Sequence, residues 1–366
     1  MSKAAELANL IGNINAGGGG VNRNVIINGA MNVAQRGTSS TGIGGSSGYF
    51  TCDRWLIAQS GDGRLTMTQD SSVPTGKGFA NSIKLDCTTA DTSIAASEFL
   101  QIVQKIEGQN LQSIGKGTSD AKPITVSFYV KANAAFNFVC ELNDLDNTRH
   151  ISKLFSTTTD WVKHEITFPA DTTGAFDNDN AASLNLTFWL HAGSTYAGGT
   201  LNTASFASTT NANRAAGVSS FYSSTDNNFF ITGVQLEVGQ NPTEFEHEPI
   251  ERTLAKCQRY FWNIQGINQP VGAGASWNDS YLHVNVAHPV EMRANPDFVI
   301  TTGTNYYQTP NGSAAFETFN GDDDQQFVST LGSIVQFNSG VSITAGRSIS
   351  VSTANSSADL AWNSEL

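Results

Sequence analysis

Two aromatic residues stand on the polar side of strands whose other side is apolar. Tyr129 lies in ITVSFYVK, where Ile124, Val126, Phe128 and Val130 form one row and Thr125, Ser127 and Tyr129 the other. Trp189 stands with Asn185 and Thr187, opposite Leu184, Leu186, Phe188 and Leu190. Successive side chains of a strand point to opposite faces, so both rings are expected to face away from the core. A ring so placed stacks on the apolar C–H face of a sugar while neighbouring Asn and Thr bond its hydroxyls. Tyr129, Trp189 and Asn185 are therefore the candidate glycan contacts. The competing expectation is that another layer or subunit covers the same faces.

Other groups of residues carry less chemistry. Asp322, Asp323 and Asp324 follow Asn320-Gly321 and offer adjacent carboxylates to a hard cation; a solvated hairpin tip is the plainer reading. His247-Glu248 cannot open a zinc helix, because position 251 is Glu and not His. Asp177 to Asn180 begins like a calcium loop but lacks its glycine and distal Glu. Gly44 to Gly48 spells G-x-S-x-G, yet that elbow needs a strand before it and a helix after it. Here Thr38 to Gly48 is only Gly, Ser and Thr apart from Ile43. Gly76-Lys77 runs into Gly78, so there is no phosphate loop. His164 shares a row with Val162, Ile166 and Phe168, the place of a core or edge histidine. With no catalytic constellation, a non-enzymatic protein is expected.

The elements that must hold these residues are mostly short strands. At 366 residues the chain is long for one core, and two domains with appendages are expected. Only 14% of residues are charged, and Gly, Ser, Thr and Asn are frequent, which suits strands joined by polar loops. A net charge of -12 repels nucleic acid and disfavours anionic membranes. No run approaches the roughly 18 apolar residues of a membrane span, and no apolar segment follows the early lysine as in a secretory signal. Folding in a cytoplasm is expected, with Cys52, Cys87, Cys140 and Cys257 reduced.

The chain divides by pattern into residues 1–22, 23–249, 250–262 and 263–366. Leu7, Leu10, Ile11 and Ile14, with Ala4, give the first segment an apolar helical seam that ends at Gly17 to Gly20. So short a helix is marginal alone, so it is expected to attach to a partner surface across a glycine hinge. Asn24 to Arg36 (NVIINGAMNVAQR) reads as a strand with a turn signal at Asn28-Gly29. Ala192 to Asn228 interrupts the alternation as a long polar loop, functional or ordered by a neighbour. ITGVQLEVG reads as the last strand of the large domain, with Phe230, Val234, Leu236 and Val238 inward, stopped by the Pro242–Pro249 corner. A short bridging helix over 250–262 then leads into a smaller domain. The fold class is all-β, two successive sandwiches.

Three segments resemble the carbohydrate-binding jelly rolls fused to glycoside hydrolases. They are Asn24 to Met31 followed by Trp55, then Ser82 to Leu85 with Ile124 to Lys131, and Phe230 to Leu236. The resemblance implies that the first sandwich is a jelly roll. Those modules often carry acidic residues for a structural calcium where this chain has Asn32 and Thr232-Gly233, so no cofactor is expected, a structural calcium being the alternative. The combination of NGAMNVAQRG, CDRW (Cys52 to Trp55), GVQLEVG with CQRYF (Cys257 to Phe261) and PVEMRANP (Pro289 to Pro296) is similar to tail-fibre-like proteins of marine phages, including cyanophages. That implies a virion protein, assembled in the host cytoplasm and exposed on the particle. It would be a homotrimeric fibre or adhesin, joined to other phage proteins by its N-terminal segment and attached to host surface polysaccharide by its jelly roll. A non-binding decoration or connector protein and a polysaccharide depolymerase are the alternatives.

Overall fold

The computed structural model describes residues 3–4, 23–278, 280–310, 315–338 and 344–366. The seam residues Leu7, Leu10, Ile11 and Ile14, the Gly17 to Gly20 hinge and Val341 to Ile343 lie outside the described residues. Two compact units are present, Met1–Thr253 together with Leu366, and Leu254–Glu365. The helix Ile250–Gln258 runs across the division. It stops sooner than residue 262, because Phe261 and Trp262 open a strand paired to the chain's end.

In the first unit the strands are β1 (Ser39–Ile43), β2 (Gly48–Tyr49), β3 (Leu56–Ser60), β4 (Arg64–Asp70), β5 (Ser82–Thr89), β6 (Phe99–Glu107), β7 (Ile124–Ala132), β8 (Asn137–Asp144), β9 (Arg149–Ser156), β10 (Val162–Phe168), β11 (Ala182–Ala192), β12 (Ala207–Ser208) and β13 (Asn228–Val238). They form two antiparallel sheets, ordered β1-β4-β5-β13-β7-β10 and β12-β9-β8-β11-β6-β3-β2. From β5 to β11 the chain changes sheet at every connection except the β8–β9 hairpin. Strands β5-β13-β7-β10 thus face β6-β11-β8-β9, which is the connectivity of a jelly roll. One apolar row from each strand fills the space between the sheets. Phe128 sits at its centre, edge-on to Phe155 and Phe188 at 5.1 and 4.9 Å. Each such ring, fully buried, contributes about 1.5–3 kcal/mol.

Asn24 to Arg36 is not a strand but a series of turns, with Asn28 and Met31 both at φ 58°. Its polar residues are spent on backbone. Asn28 donates Nδ2 to Val33 O and Asp53 O, accepts from Val33 N on Oδ1, and its carbonyl takes the Trp55 Nε1 proton. Asp53 accepts from Gln35 N and Gln35 Nε2 and pairs with Arg36 at 3.7 Å. Gly29 passes so close to β13 that a Cβ would lie 2.0 Å from Val234 O. The NGAMNVAQRG and CDRW motifs are therefore one plug at the edge of the core.

A second buried polar network closes another corner. Lys116 Nζ lies 2.6 Å from Asp144 and 3.2 Å from Asp171, and donates to the carbonyls of Thr173 and Gly174. Arg149 grips Asp171 with two bonds of 2.9 and 3.1 Å. All four cysteines are buried free thiols. Burial pushes Cys52 up to about 12 and Cys87 up to about 11, and raises Cys140 beyond both.

The second unit is a smaller sandwich. Its strands are β14 (Phe261–Gln265), β15 (Pro270–Ser276), β16 (Tyr281–Ala287), β17 (Asp297–Ile300), β18 (Tyr307–Pro310), β19 (Phe316–Phe319), β20 (Asp322–Val328), β21 (Gly332–Asn338), β22 (Ser348–Thr353) and β23 (Asp359–Asn363). The sheet β14-β23-β17 packs on the sheet β19-β18-β22-β15-β16-β21-β20. Trp262 and Trp362 stack in the core with centroids 4.3 Å apart and planes 6° from parallel.

Candidate functional site

The expected platform residues do not meet. Tyr129 is on the outer face of the first sheet and Trp189 on the outer face of the second, so the sandwich separates them. Each face is also covered. The Pro242–Pro249 corner does not simply leave β13; it folds back across the first sheet. Glu246 N donates to Gln235 Oε1 at 2.9 Å, Gln235 Nε2 donates to Thr243 Oγ1, and Thr243 also donates to Glu237. That places Phe245 and His247 beside Phe79, whose ring meets Tyr129 edge-on at 5.6 Å. Tyr129 is buried, and its burial raises the phenol pKa.

Trp189 is 0% exposed beneath the segment 193–220. Its indole N–H donates to Glu141 Oε2 at 2.9 Å. Arg214, reaching in from the covering segment, donates to both oxygens of Glu141 at 2.8 Å and lies 5.1 Å over the Trp189 ring. Tyr196, Leu201, Ala215 and Val218 complete this small apolar cluster with Val139. The long polar loop is therefore a lid built on its own sheet. Asn185 is half-buried between Asn143 and Lys105 in the register, and its Oδ1 has no hydrogen-bond partner. Neither ring is open to a sugar.

The calcium implied by the jelly-roll resemblance does not fit these residues. Asn32 Oδ1 accepts from Asn81 Nδ2 at 3.2 Å, and Thr232 Oγ1 donates to Asn81 O at 2.7 Å. A neutral hydrogen-bonded chain occupies the place where two carboxylates would hold the ion. Asp322 to Asp324 lie within β20, paired to Asn338, Phe337 and Gln336, and not at a hairpin tip. Their side chains lie outside the described residues.

What remains open on the first sheet is a strip that the sequence reading passed over. Phe230 faces outward, not inward, because a bulge between Thr232 and Gln235 reverses the alternation of β13. Gly233 makes the bulge at φ 63°, where a Cβ would strike the Phe79 ring at 2.6 Å. Phe229, Ile231, Val234, Leu236 and Val238 are the inward row. Across the outward row run Trp161, Lys131, Phe230 and Lys84. The Lys131 ammonium lies 4.4 Å from the Phe230 centroid and 5.5 Å from that of Trp161, and donates to Ser72 Oγ at 2.7 Å. Trp161 stays half-exposed at the strip's end.

Lys84, at the strip's other end, and Lys163, beside it, pair with Asp86 and Glu165 at 2.9 and 2.8 Å. Burial works to lower the Lys163 pKa, but the hydrogen bond and charge of Glu165 outweigh it and hold the pKa above the ordinary lysine value. Phe230 is itself buried beneath Lys131 and Lys84, so the strip offers the Trp161 face beside fixed ammonium donors, a set suited to the C–H face and the oxygen substituents of a saccharide. Its signal was present in the sequence, since Trp161 continues the outward row opposite Val162 and His164. In the second unit another ring stands free: Trp277, 69% exposed, stacks on His283 at 5.1 Å and 15°. His283 Nε2 meets Gln336 Oε1 at 2.9 Å.

No protein-family model matches this sequence. No curated protein matches it either. Among solved structures it is similar to the enzymatically active domain of a bacteriophage CBA120 tailspike protein, at 12% identity and TM-score 0.33, over 59% of this chain and 21% of that one. It is similar to TmCBM61 in complex with β-1,4-galactotriose, at 10% identity and TM-score 0.31, over 59% and 99% of the two chains. It is also similar to a family 11 carbohydrate-binding module of Clostridium thermocellum in complex with a β-1,3-1,4-mixed-linked tetrasaccharide, at 12% identity and TM-score 0.28, over 57% and 99%. The match spans about a fifth of the tailspike chain (21%) and nearly all of the two smaller modules (99% each).

Proposed function

We propose that this chain is a phage tail fibre or receptor-binding adhesin whose jelly-roll unit holds host surface polysaccharide on the strip of Trp161, Lys131 and Lys84 that lies over the buried Phe230 ring. The half-open Trp161 ring beside the Lys131 ammonium carries the glycan part of the reading. The joint occurrence of NGAMNVAQRG, CDRW, GVQLEVG and CQRYF supports the virion part. On this reading the protein is assembled in the host cytoplasm, displayed on the particle as a homotrimer, and attached to other virion proteins by its N-terminal segment. It binds without cleaving. Each site is weak, and adhesion comes from several tethered copies acting at high effective concentration.

The test is calorimetry and a glycan array with the full chain against host polysaccharide. Trp161→Ala is expected to weaken binding roughly five- to tenfold, the weight of one aromatic contact. Trp277→Ala, at an exposed ring of the second unit, should leave it unchanged. No binding at millimolar saccharide, or equal binding by Trp161→Ala, would sink the proposal.

A structural role in the particle is the second reading, and one observation favours it. In the second unit Val299, Phe316, Phe327 and Leu331 are each at least 60% exposed. Phe327 and Leu331 line an open groove of about 410 Å³ with Val286 and Ile334. Apolar surface of this kind marks an association site. If it is a subunit contact, Phe327→Ser with Leu331→Ser should convert the assembled chain to monomer in sedimentation, while saccharide binding per chain is retained. An unchanged sedimentation coefficient would remove this surface from the contact.

A further inference from the structure

Away from the strip, three ionisable side chains converge inside the first unit. Asp91 and Glu98 begin and end the loop that leads from β5 into β6, and His191 is near the end of β11. One ligand atom from each lies within 4.8 Å of the others. All three are buried, at 7%, 8% and 1% exposure. Among the described residues neither carboxylate has a lysine or arginine within ion-pair distance.

The remaining hydrogen bonds orient the three groups without satisfying them. Asp91 Oδ1 accepts from Ser93 N at 3.0 Å, and Glu98 Oε2 accepts from Ala95 N at 2.8 Å. His191 Nδ1 meets Ser220 Oγ at 2.8 Å, which leaves Nε2 as the free ring nitrogen. Asp91 Oδ2 and His191 Nε2 are both buried with no hydrogen-bond partner. Buried polar atoms are nearly always paired, and two adjacent carboxyls out of water need a shared proton or a cation between them; burial and the neighbouring Asp91 raise the Glu98 pKa, and a bound cation would displace that proton. The one ring nitrogen left without a partner has its other nitrogen held by a hydroxyl, the arrangement that orients a metal-binding imidazole.

We propose that Asp91, Glu98 and His191 form a binding site for a divalent first-row transition metal, with zinc as the fitting ion. Two carboxylate oxygens and an imidazole nitrogen match zinc's borderline donor preference and its usual four-coordinate site, water filling the fourth position. Calcium fits poorly, because it takes six to eight oxygens and no nitrogen. The site is separate from the Asn32–Asn81–Thr232 chain, which holds no charged ligand. Its position gives it a mechanical role. His191 lies just before the lid 193–220, and Ser220 at the lid's far end fixes the same ring, so an ion here ties both ends of the lid to the β5–β6 loop.

The experiment strips the full chain with EDTA, dialyses it against zinc chloride and measures bound metal by mass spectrometry and calorimetry. One zinc per chain is expected, with a rise in the first unit's melting temperature of roughly 5–10 °C at a hundredfold excess over Kd. Asp91→Asn and His191→Gln should each lose at least tenfold in affinity and, at the same zinc concentration, about half or more of the thermal shift. Asp91→Asn removes the carboxylate repulsion and should fold without metal. Cobalt loading of the unmutated protein gives a reading free of any folding defect: a visible d–d band without a thiolate charge-transfer band. Zinc uptake equal in the parent and both variants, a thiolate band, or calcium bound as tightly as zinc would each overturn the assignment.

Discussion

Lys116→Met is expected to lower the stability of the jelly-roll unit by about 3–5 kcal/mol, because it leaves Asp144 buried without a cation and Asp171 with Arg149 alone. In a thermal scan this is a fall of roughly 10 °C in the first transition. The methionine fills the space of the lysine stem, so the loss measures charge and not a cavity. Lys116→Met combined with Asp144→Asn should recover part of it, since one orphaned carboxylate is then neutral. A single variant as stable as the parent would show that water or a shifted loop screens the carboxylates.

The same cluster sets an acid limit. Burial alone would raise the Asp171 pKa, but the hydrogen bonds of Arg149 and the Thr173 N–H and the charge of Lys116 outweigh it and hold the carboxyl below its ordinary value. A carboxyl whose pKa is lower folded than unfolded stabilises fully above the unfolded value, about 3.9, and ceases to as pH falls through the folded one. Melting temperature should therefore drop between about pH 5 and pH 2, and less steeply in Asp171→Asn.

Glu141→Ala is the second large effect. It removes at once the acceptor of the Trp189 indole and both acceptors of the Arg214 guanidinium. A buried guanidinium left unpaired costs about 3–5 kcal/mol, and the lid has its main polar anchor in that pair. The expected outcome is selective: limited proteolysis cuts within 193–220 while the sheets stay folded, and Trp189 fluorescence shifts to the red as water reaches the ring. Glu141→Gln, which keeps an acceptor but loses the charge, should fall between parent and Ala. Cleavage at the parent rate in Glu141→Ala would mean that the apolar cluster around Tyr196 and Ala215 holds the lid alone.

Much of the fold was legible because strand alternation is local. The rows Ile124–Val130 and Leu184–Leu190 could be read directly, and they are inward rows of opposite sheets. Alternation failed where one residue left the β region. Gly233 reversed the facing of Phe230, and nothing in the letters ITGVQ says on which side of the glycine the row flips. Asn24 to Arg36 failed for a similar reason, since two non-glycine residues at positive φ turn an apparent strand into a plug. The site was harder still. Whether an outward ring meets water depends on segments remote in sequence: 242–249 covers Tyr129 and 193–220 covers Trp189. Asp91, Glu98 and His191 carry no spacing signal, because a jelly roll joins a loop to a strand four sheet crossings later.

The buried thiols bear on how the protein can be handled and probed. A thiol attacks oxidants and alkylating agents as thiolate, and the desolvated interior keeps Cys52, Cys87 and Cys140 protonated near neutral pH. Those thiols should therefore react slowly with oxidants while the jelly roll stays folded. Those three sulfurs also serve as built-in reporters. Their labelling by iodoacetamide counts openings of the first core, so a mass shift against time reads unfolding in dilute sample without added dye.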